Sequence, residues 1–464
     1  MQEQATDEGH PRPSPSARGR SAPGPRSWPL VGDPLALRGA KNMLEYLDGH
    51  WRRYGDVFRV NVVGQRMLVI AHPDDLKTVL SSRRHNYVKG SAYQSARRIL
   101  GDSLLTLEGE TWKGRRSLAQ PSFHRRSLEK LAAIIRERGA AFLGELARRS
   151  EGKPLEIDAH REMVRLTLDV VVNALFGQAL NVSPTTYQAL GAALELVSNG
   201  ANGIVLPAWV PTPHNLRLNR TLAELDRVVY DVIERARREQ NDDGSLLSML
   251  LSASDEHGAA LPDRAIRDEV ITLFIAGHET TALTLTWLFA LLDGQPAVLA
   301  AMRREVDQVL GGQDPSFDDV AKLPYLRKVV DETMRLRPPA PAVVRNAVAD
   351  DELGGFHVRA GDMVLPFFAA THRHPAFWPE PLKFDPERFD PALDRSRNSW
   401  SYLPFSAGPR VCIGNMFSIV ETIILLAQIL NRFELTVPPC AAVKPVMMGT
   451  MRPSGPIPVT LTPR

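Results

Sequence analysis

Residues 405–414 carry the most specific signal in this 464-residue sequence, and they are Phe405-Ser406-Ala407-Gly408-Pro409-Arg410-Val411-Cys412-Ile413-Gly414. Two glycines flank the cysteine, and they permit tight backbone turns that let peptide N–H groups point at its sulfur. Ile413 to Arg432 is predicted to form a long apolar helix, so Cys412 would lie at the positive end of that helix. We expect this position to lower the pKa of the thiol and to favour a thiolate.

The sequence contains two cysteines, and the second, Cys440, has no comparable surroundings. Two cysteines do not indicate a disulfide framework, and they favour a reducing compartment. An isolated cysteine is more often a small buried hydrophobic residue than a reactive one. We therefore interpret Cys440 as structural and Cys412, which lies between the two glycines, as the residue with a chemical role.

The stretch around Cys412 resembles the heme-binding loop of the cytochrome P-450 family, Phe-x-x-Gly-x-Arg-x-Cys-x-Gly, at all five fixed positions. The resemblance implies that Cys412 binds the iron of heme b (iron protoporphyrin IX), because a thiolate ligand favours cleavage of the O–O bond. It also implies that Arg410 pairs with a heme propionate. The framing residues are Phe405, Gly408, Arg410 and Gly414. Ser418, where the family usually has Ala, is a small-for-small change that leaves ligation unaffected.

A second motif lies within the apolar stretch Ile271 to Leu292, which is long enough to suggest a membrane span. Burying the carboxylate of Glu279 in lipid would cost on the order of 3 kcal/mol or more, so a helix through the protein core is the better interpretation. The sequence offers no other candidate span.

A net charge of +3 without a basic block gives no indication of nucleic-acid binding.

The centre of this predicted helix, Ala276-Gly277-His278-Glu279-Thr280-Thr281, resembles the family motif Ala/Gly-Gly-x-Asp/Glu-Thr. Small Ala276 and Gly277 would leave room for dioxygen above the iron, and Thr280 lies one turn beyond Ala276 on the same face. The resemblance implies that Thr280 donates a hydrogen bond during O–O cleavage and that Glu279 relays protons from solvent. The alternative is that the threonines only bond back to the helix. His278 is interpreted as a satisfied or surface histidine.

Three further charged residues resemble the structural signature of the family. Glu332 and Arg335 share one helical face, and Pro386-Glu387-Arg388-Phe389 follows in the family's order. We predict a buried network of Glu332, Arg335 and Arg388, which is structural and would be costly to break.

A clamp for the two heme propionates is also implied by the resemblance. Trp112-Lys113-Gly114-Arg115-Arg116 is similar to the family's Trp-x-x-x-Arg, and Arg345 follows a proline-rich turn. The predicted members of the clamp are Trp112, Arg116, Arg345 and Arg410. Arg115 is expected to face solvent.

The domain organisation has two alternative interpretations. Length alone suggests two or three domains, whereas the resemblance implies one triangular, mainly α domain over residues 28–464, with a small β portion formed from both ends of the chain. Residues 1–27, rich in Pro, Ser and Arg, are predicted to be a disordered leader. A transit peptide is the rival interpretation, and early acidic residues count against it.

The resemblance implies a heme-thiolate monooxygenase that inserts one atom of O2 into an apolar small molecule by hydroxylation or epoxidation. A terpenoid, polyketide or fatty acid of secondary metabolism is the expected substrate, because the predicted pocket walls are apolar. A heme-thiolate isomerase, a peroxygenase and a non-catalytic heme sensor are the alternatives. We expect a cytoplasmic monomer of the soluble bacterial type that receives electrons from ferredoxin and ferredoxin reductase.

Overall fold

The computed structural model describes residues 20–26, 42–62, 65–177, 212–239, 244–254, 258–439 and 442–464. Helices dominate this part of the chain. The α-helices, in chain order, are α1 (Met43–Tyr54), α2 (Pro73–Lys77), α3 (Ser91–Leu100), α4 (Gly109–Ala119), α5 (Arg125–Ser150), α6 (Ala159–Phe176), α7 (Pro213–Glu239), α8 (Leu246–Ser252), α9 (Asp263–Leu291), α10 (Pro296–Leu310), α11 (Pro324–Leu336), α12 (Phe368–Thr371), α13 (Pro391–Asp394) and α14 (Asn415–Arg432).

Twelve short strands in the described residues form four small sheets. The strands are β1 (Val57–Val62), β2 (Gln65–Ile70), β3 (Tyr87–Val88), β4 (Leu155–Asp158), β5 (Arg345–Ala347), β6 (Asp351–Leu353), β7 (Phe356–Val358), β8 (Met363–Pro366), β9 (Phe433–Thr436), β10 (Pro445–Met448), β11 (Thr450–Pro453) and β12 (Pro458–Pro463). The sheet orders are β1-β2-β8-β5-β3, β4-β12-β9, β6-β7 and β10-β11. The mainly α fold with a small β portion is therefore confirmed.

The chain divides into two compact units. The first comprises residues up to Ser91, Ala340–Asp385 and Asp390–Val411, and it contains the five-stranded sheet. Its core includes the buried side chains of Leu68, Ile70, Val364 and Phe368. In this sheet β2 runs parallel to β8, which pairs early strands of the chain with later ones, as the sequence predicts.

The second unit comprises Ala92–Pro339, Pro386–Phe389 and Cys412–Arg464 and contains the long helices. Helix α9 packs mainly against α6, and α14 packs against α5. Buried residues lie on all sides of α9 and α14, which is the pattern of helices that pass through a core. Helix α9 begins directly after Pro262. Proline has no backbone N–H and disrupts a helix interior, so it is expected at a helix boundary.

The segment 20–26 differs from the predicted disordered leader. The carbonyl of Arg20 accepts a hydrogen bond from His357 N (3.0 Å), and that of Pro23 accepts one from Arg59 N (2.8 Å). Ala22 is buried in the core of the first unit. These backbone bonds to the chain around β1 and β7 give the segment an ordered place. Residues 1–19 and 27–41, including Trp28-Pro29-Leu30, lie outside the described residues, and the leader boundary stays a prediction.

Candidate active site

Cys412 lies immediately before α14, between a 3-10 turn at Gly408–Arg410 and the first helical residue, Asn415. Its side chain is accessible to solvent on one side, although protein atoms crowd around the sulfur. This crowding raises the pKa of the thiol, while a hydrogen bond from the backbone of Gly414 and the charge of Arg116 lower it. Burial outweighs both, so the predicted lowering of the thiol pKa by the protein alone is wrong. The predicted backbone N–H at the sulfur is present.

Helix α4 brings Arg116 within electrostatic reach of Cys412. Burial lowers the pKa of the Arg116 guanidinium and the charge of Cys412 raises it. Trp112, one turn earlier on the same helix, is buried. The second unit therefore places a cation beside the sulfur, next to an aromatic N–H donor on the same helix.

Arg115 does not face solvent as predicted. Its side chain is 13% exposed, and Nη1 lies 3.4 Å from Oε1 of Glu269 and 3.2 Å from the carbonyl oxygen of Ala265 on α9. The fully buried carboxylate of Glu269 needs a cationic partner, because an unpaired charge is costly in the interior. Arg115 thus joins α4 to α9.

The first unit holds the remaining residues of the predicted heme loop and clamp. Gly408 has φ +68°, and a Cβ there would lie 2.2 Å from the carbonyl oxygen of Leu80, so only glycine is accommodated. Arg345 in β5 is buried and its Nη1 donates to the carbonyl of Val344 at 2.8 Å. Phe405 and Arg410 are half-buried. The roles of these residues toward a propionate stay predictions.

The middle of α9 has the local geometry that its motif predicts. Thr280 Oγ1 donates to the carbonyl oxygen of Ala276 at 2.9 Å. Thr284 Oγ1 repeats this bond one turn later, to Thr280 O at 3.0 Å. The side chain of Ala276 is exposed, whereas Thr281 to Phe289 are buried. Ala276 and Thr280 therefore line an accessible stretch of an otherwise buried helix.

The structure shows a packing reason for the glycine of this motif, beside the predicted one. A Cβ on Gly277 would lie 3.2 Å from Cγ2 of Val171, so the missing side chain lets α9 approach α6. The interpretation of Gly277 as open space for dioxygen is not supported by this contact. His278 is buried, and its Nδ1 lies 3.0 Å from the carbonyl oxygen of Phe274, which fits the predicted satisfied histidine.

Glu279 is held by two residues that the sequence analysis did not single out. Its Oε1 accepts from Thr450 Oγ1 (2.8 Å) and from Arg452 Nε (2.6 Å), and Arg452 Nη2 also contacts it. Both partners lie on β11, more than 170 residues from Glu279. No local spacing in the sequence points to this pairing.

The three residues of the predicted structural network lie together. Arg335 Nε and Nη2 donate to Glu332 Oε2 and Oε1 at 2.6 and 2.8 Å, a two-pronged pair in which both side chains are fully buried. Arg388 Nε is 3.6 Å from Glu332 Oε1. This geometry suits a structural rather than a catalytic role.

The chemistry of these donors fits a heme. In the described residues, no three His, Cys, Asp or Glu side chains cluster as a multi-ligand metal site would require. The site instead offers one accessible sulfur with a backbone donor and an arginine beside it. A single thiolate would suit a heme iron, whose other ligands come largely from the porphyrin, and the nearby cation would suit the anionic propionates.

Comparison with known proteins decides the family. The family model described as cytochrome P450 matches residues 22–461. The chain is a cytochrome P450. It is 34% identical over 449 residues to cyclooctat-9-en-7-ol 5-monooxygenase of Streptomyces melanosporofaciens, with 95% of each chain covered. It is 32% identical to pentalenene oxygenase of Streptomyces avermitilis, with 92% of this chain and 94% of the relative covered.

Solved structures agree with this assignment. The P450 superposes on the heme domain of cytochrome P450DA with a TM-score of 0.85 at 26% identity, covering 96% of this chain and 97% of the other. It shares its fold with the retinoic acid-bound cyanobacterial CYP120A1, also at a TM-score of 0.85. The protein is thus a P450 monooxygenase with heme as its cofactor, and its reaction requires O2 and electron donors.

Two predictions about the P450 concern a membrane span and the second cysteine. Among the described helices, none combines the length and apolar character needed to cross a bilayer, α9 included. Cys440 lies outside the described residues, so its structural role stays a prediction.

Proposed function

We propose that this P450 hydroxylates or epoxidises an apolar, terpenoid-like small molecule. The observation that carries the proposal is that one unit contains both Cys412 and an intact acid–threonine motif, Glu279-Thr280. Cyclooctat-9-en-7-ol 5-monooxygenase and pentalenene oxygenase, both similar to this chain along most of their length, support the terpenoid class. The exposed, small side chain of Ala276 suits an apolar ligand.

In this proposal the residues of the chain have four tasks. Cys412 would hold the iron, and Trp112, Arg116, Arg345 and Arg410 would bind the propionates. When bound, the heme supplies the activation of dioxygen. Thr280 would orient a hydrogen bond toward the reacting oxygen, since its hydroxyl can exchange the Ala276 carbonyl for another partner. Glu279 would carry protons to it.

Electrons would come from a separate ferredoxin and ferredoxin reductase. Basic side chains on the face of the protein near Arg410 are the proposed docking surface for the ferredoxin. Reversal of these charges should slow reduction of the heme and leave the substrate-induced spectral shift unchanged.

The experiment that tests the function compares consumption of reduced cofactor with product formation. Purified protein is supplied with O2, a ferredoxin system and a panel of cyclic terpenes that first gives a spectral shift. A monooxygenase consumes reduced cofactor and forms an oxygenated product in proportion. An isomerase forms product without consuming electrons, a peroxygenase needs only peroxide, and a heme sensor forms none, so each of these outcomes contradicts the proposal.

Replacement of Thr280 tests the proton step. T280A should keep consuming O2 while the peroxide-to-product ratio rises about tenfold or more, because proton delivery contributes a factor of 100 or more to such steps, in round numbers. T284A is the matched control, since Thr284 makes the same backward bond one turn later and is buried. Equal ratios in the two variants would contradict the role of Thr280.

A further inference from the structure

The carboxylate of Glu279 is anchored through one oxygen only. In the part of the chain that the structure describes, its hydrogen bonds all go to Oε1, from Thr450 Oγ1 at 2.8 Å and Arg452 Nε at 2.6 Å. The side chain is 14% exposed and that of Arg452 is 22% exposed. Oε2 therefore remains available for proton exchange while Oε1 fixes the position of the group.

The strand that carries both donors is itself fixed to α9. Thr450 and Arg452 are two positions apart on β11, so their side chains share one face, and Met451 between them points to the other. The carbonyl of Met451 accepts a bond from Trp287 Nε1 at 2.8 Å, and its N–H donates to Pro339 O at 2.9 Å. Trp287 lies eight residues after Glu279 on the same helix. The donors therefore have a rigid support.

The charged and titratable groups around Glu279 come from three elements. They are Arg452 on β11, His278 on α9 and His160 at the start of α6, which in turn faces Asp158. Burial is the main cause that lowers the pKa of both histidines. Among the described residues, Arg452 is the cation that contacts the Glu279 carboxylate directly.

We propose that Arg452 and Thr450 are positioning residues for Glu279, which hold and orient its carboxylate so that Oε2 takes a proton from solvent and passes it toward Thr280. The inference rests on the proposed function and names residues that the motif does not contain. Each proton that Oε2 passes on is replaced by one from solvent, so Glu279 is unchanged over a cycle. Buried His160 Nδ1, which has no hydrogen-bond partner among the described residues, adds a polar atom beside this path.

The first experiment asks whether the pair exists in solution and needs no turnover. R452M, E279Q and the double variant are compared with the wild type by thermal unfolding of the heme-loaded protein. A pair in contact predicts that the shift in Tm of the double variant is clearly smaller than the sum of the single shifts. Additive shifts would overturn the proposal.

The second experiment asks whether the pair acts on proton delivery. R452M should raise the peroxide-to-product ratio about tenfold. This is less than the rate loss expected when the proton-transferring group itself is removed, because Glu279 would be misplaced but still present. It should also move the pH at which product coupling declines and enlarge the solvent isotope effect. R452K, which keeps the charge, should restore much of the coupling, and T450V should show a smaller loss. R452K and T450V supply the same measurements if R452M does not fold.

R303M is the matched control. Arg303 forms an ion pair with Glu434 at 2.7 Å and is 23% exposed, close to the exposure of Arg452, but it lies on α10. It should leave coupling and its pH profile unchanged. Non-additive Tm shifts with unaltered coupling in R452M would make the pair merely structural and overturn the inference. Failure of the proposed function is a separate result, since the wild type would then form no oxygenated product in proportion to the reduced cofactor consumed.

Discussion

Glu421 on α14 is an acidic residue buried in the interior of the second unit. Its side chain is fully buried, and neither carboxyl oxygen meets hydrogen-bond geometry with a described group. Burial raises its pKa to about 8, and the neighbouring hydroxyl of Thr281 offsets this only in part. That hydroxyl lies 3.3 Å from Ser418 Oγ. Ser418, which departs from the family pattern, therefore forms a small polar cluster with Thr281 and Glu421.

Replacing Glu421 by Gln should make stability less dependent on pH. The folded-state pKa of about 8 exceeds the ordinary value of 4.5, so the folded protein holds its proton longer and the wild type loses stability as pH rises from 4.5 to 8. E421Q should lose this slope and gain a few kcal/mol relative to the wild type by pH 8, in order of magnitude. Denaturant unfolding at several pH values measures it. E352Q, at an exposed position, should keep the wild-type slope; a slope unchanged in E421Q would contradict the assignment.

Gly408 gives a second prediction for a single residue. G408A should destabilise the protein by about 2 kcal/mol or more, because the new Cβ meets Leu80 O at 2.2 Å in a left-handed conformation. G361A is the control, since Gly361 has φ +88° with open space around it, and it should cost about 1 kcal/mol. Denaturant titration of both variants ranks them, and equal costs would argue against the close approach.

At the scale of elements, the first turns of α9 tie down the segment between α3 and α4. Asp268 Oδ2 accepts from the N–H of Asp102 (2.8 Å), and Glu269 accepts from that of Leu104 at 3.0 and 3.2 Å. Arg267 Nη1 reaches the carbonyl of Ile99 at 3.2 Å, and its guanidinium pairs with Asp226 on α7. Three consecutive buried charges thus join α3, α7 and the segment before α4 to one helix.

E269Q should loosen this segment. The substitution removes the charge, and a neutral amide oxygen is a weaker hydrogen-bond acceptor for the Leu104 N–H than a carboxylate. Hydrogen exchange of that N–H should therefore speed up about tenfold. Burial raises the pKa of Glu269 to about 7, so the wild type should approach the variant as pH falls below 7. Mass-spectrometric hydrogen exchange, referenced to a core peptide of α14, measures the effect. D263N, at an exposed acid in the first turn of α9, should leave exchange at Leu104 unchanged.

Elements also show how far the sequence carries a prediction. The heme loop, the α9 motif and the Glu332–Arg335 spacing are contiguous or one helical turn apart, so local pattern was sufficient to predict them. Thr450 and Arg452 meet Glu279 only through folding, at separations of 171 and 173 residues. Arg115 was placed in solvent because nothing nearby in sequence indicates Glu269 as its partner. The Val171 contact of Gly277 was missed for the same reason.

For the whole molecule, heme is part of the folding equilibrium. A ligand that binds only the folded chain adds stability that grows with its concentration over Kd, about 2.7 kcal/mol at a hundredfold excess. The predicted bond from Cys412 to the heme iron should be one source of this stabilisation.

Removal of heme should therefore lower Tm. Protein stripped of heme is expected to unfold several degrees below the loaded form, and C412A should recover less of that difference on reconstitution, because its iron would lack the thiolate. Scanning calorimetry with and without added hemin measures both. The reduced carbonyl adduct of the loaded wild type should show the thiolate spectrum, and a histidine-type spectrum would contradict ligation by Cys412.

The three charges at the start of α9 have a practical consequence for protein engineers. Each of Ile99, Asp102 and Leu104 is tied by its main chain, so inserting or deleting one residue there would pull at least one of these groups out of register. Libraries that diversify side chains in this stretch at constant length should retain foldable members. Transplanting a longer or shorter version from a homologue should fail unless residues 267–269 travel with it.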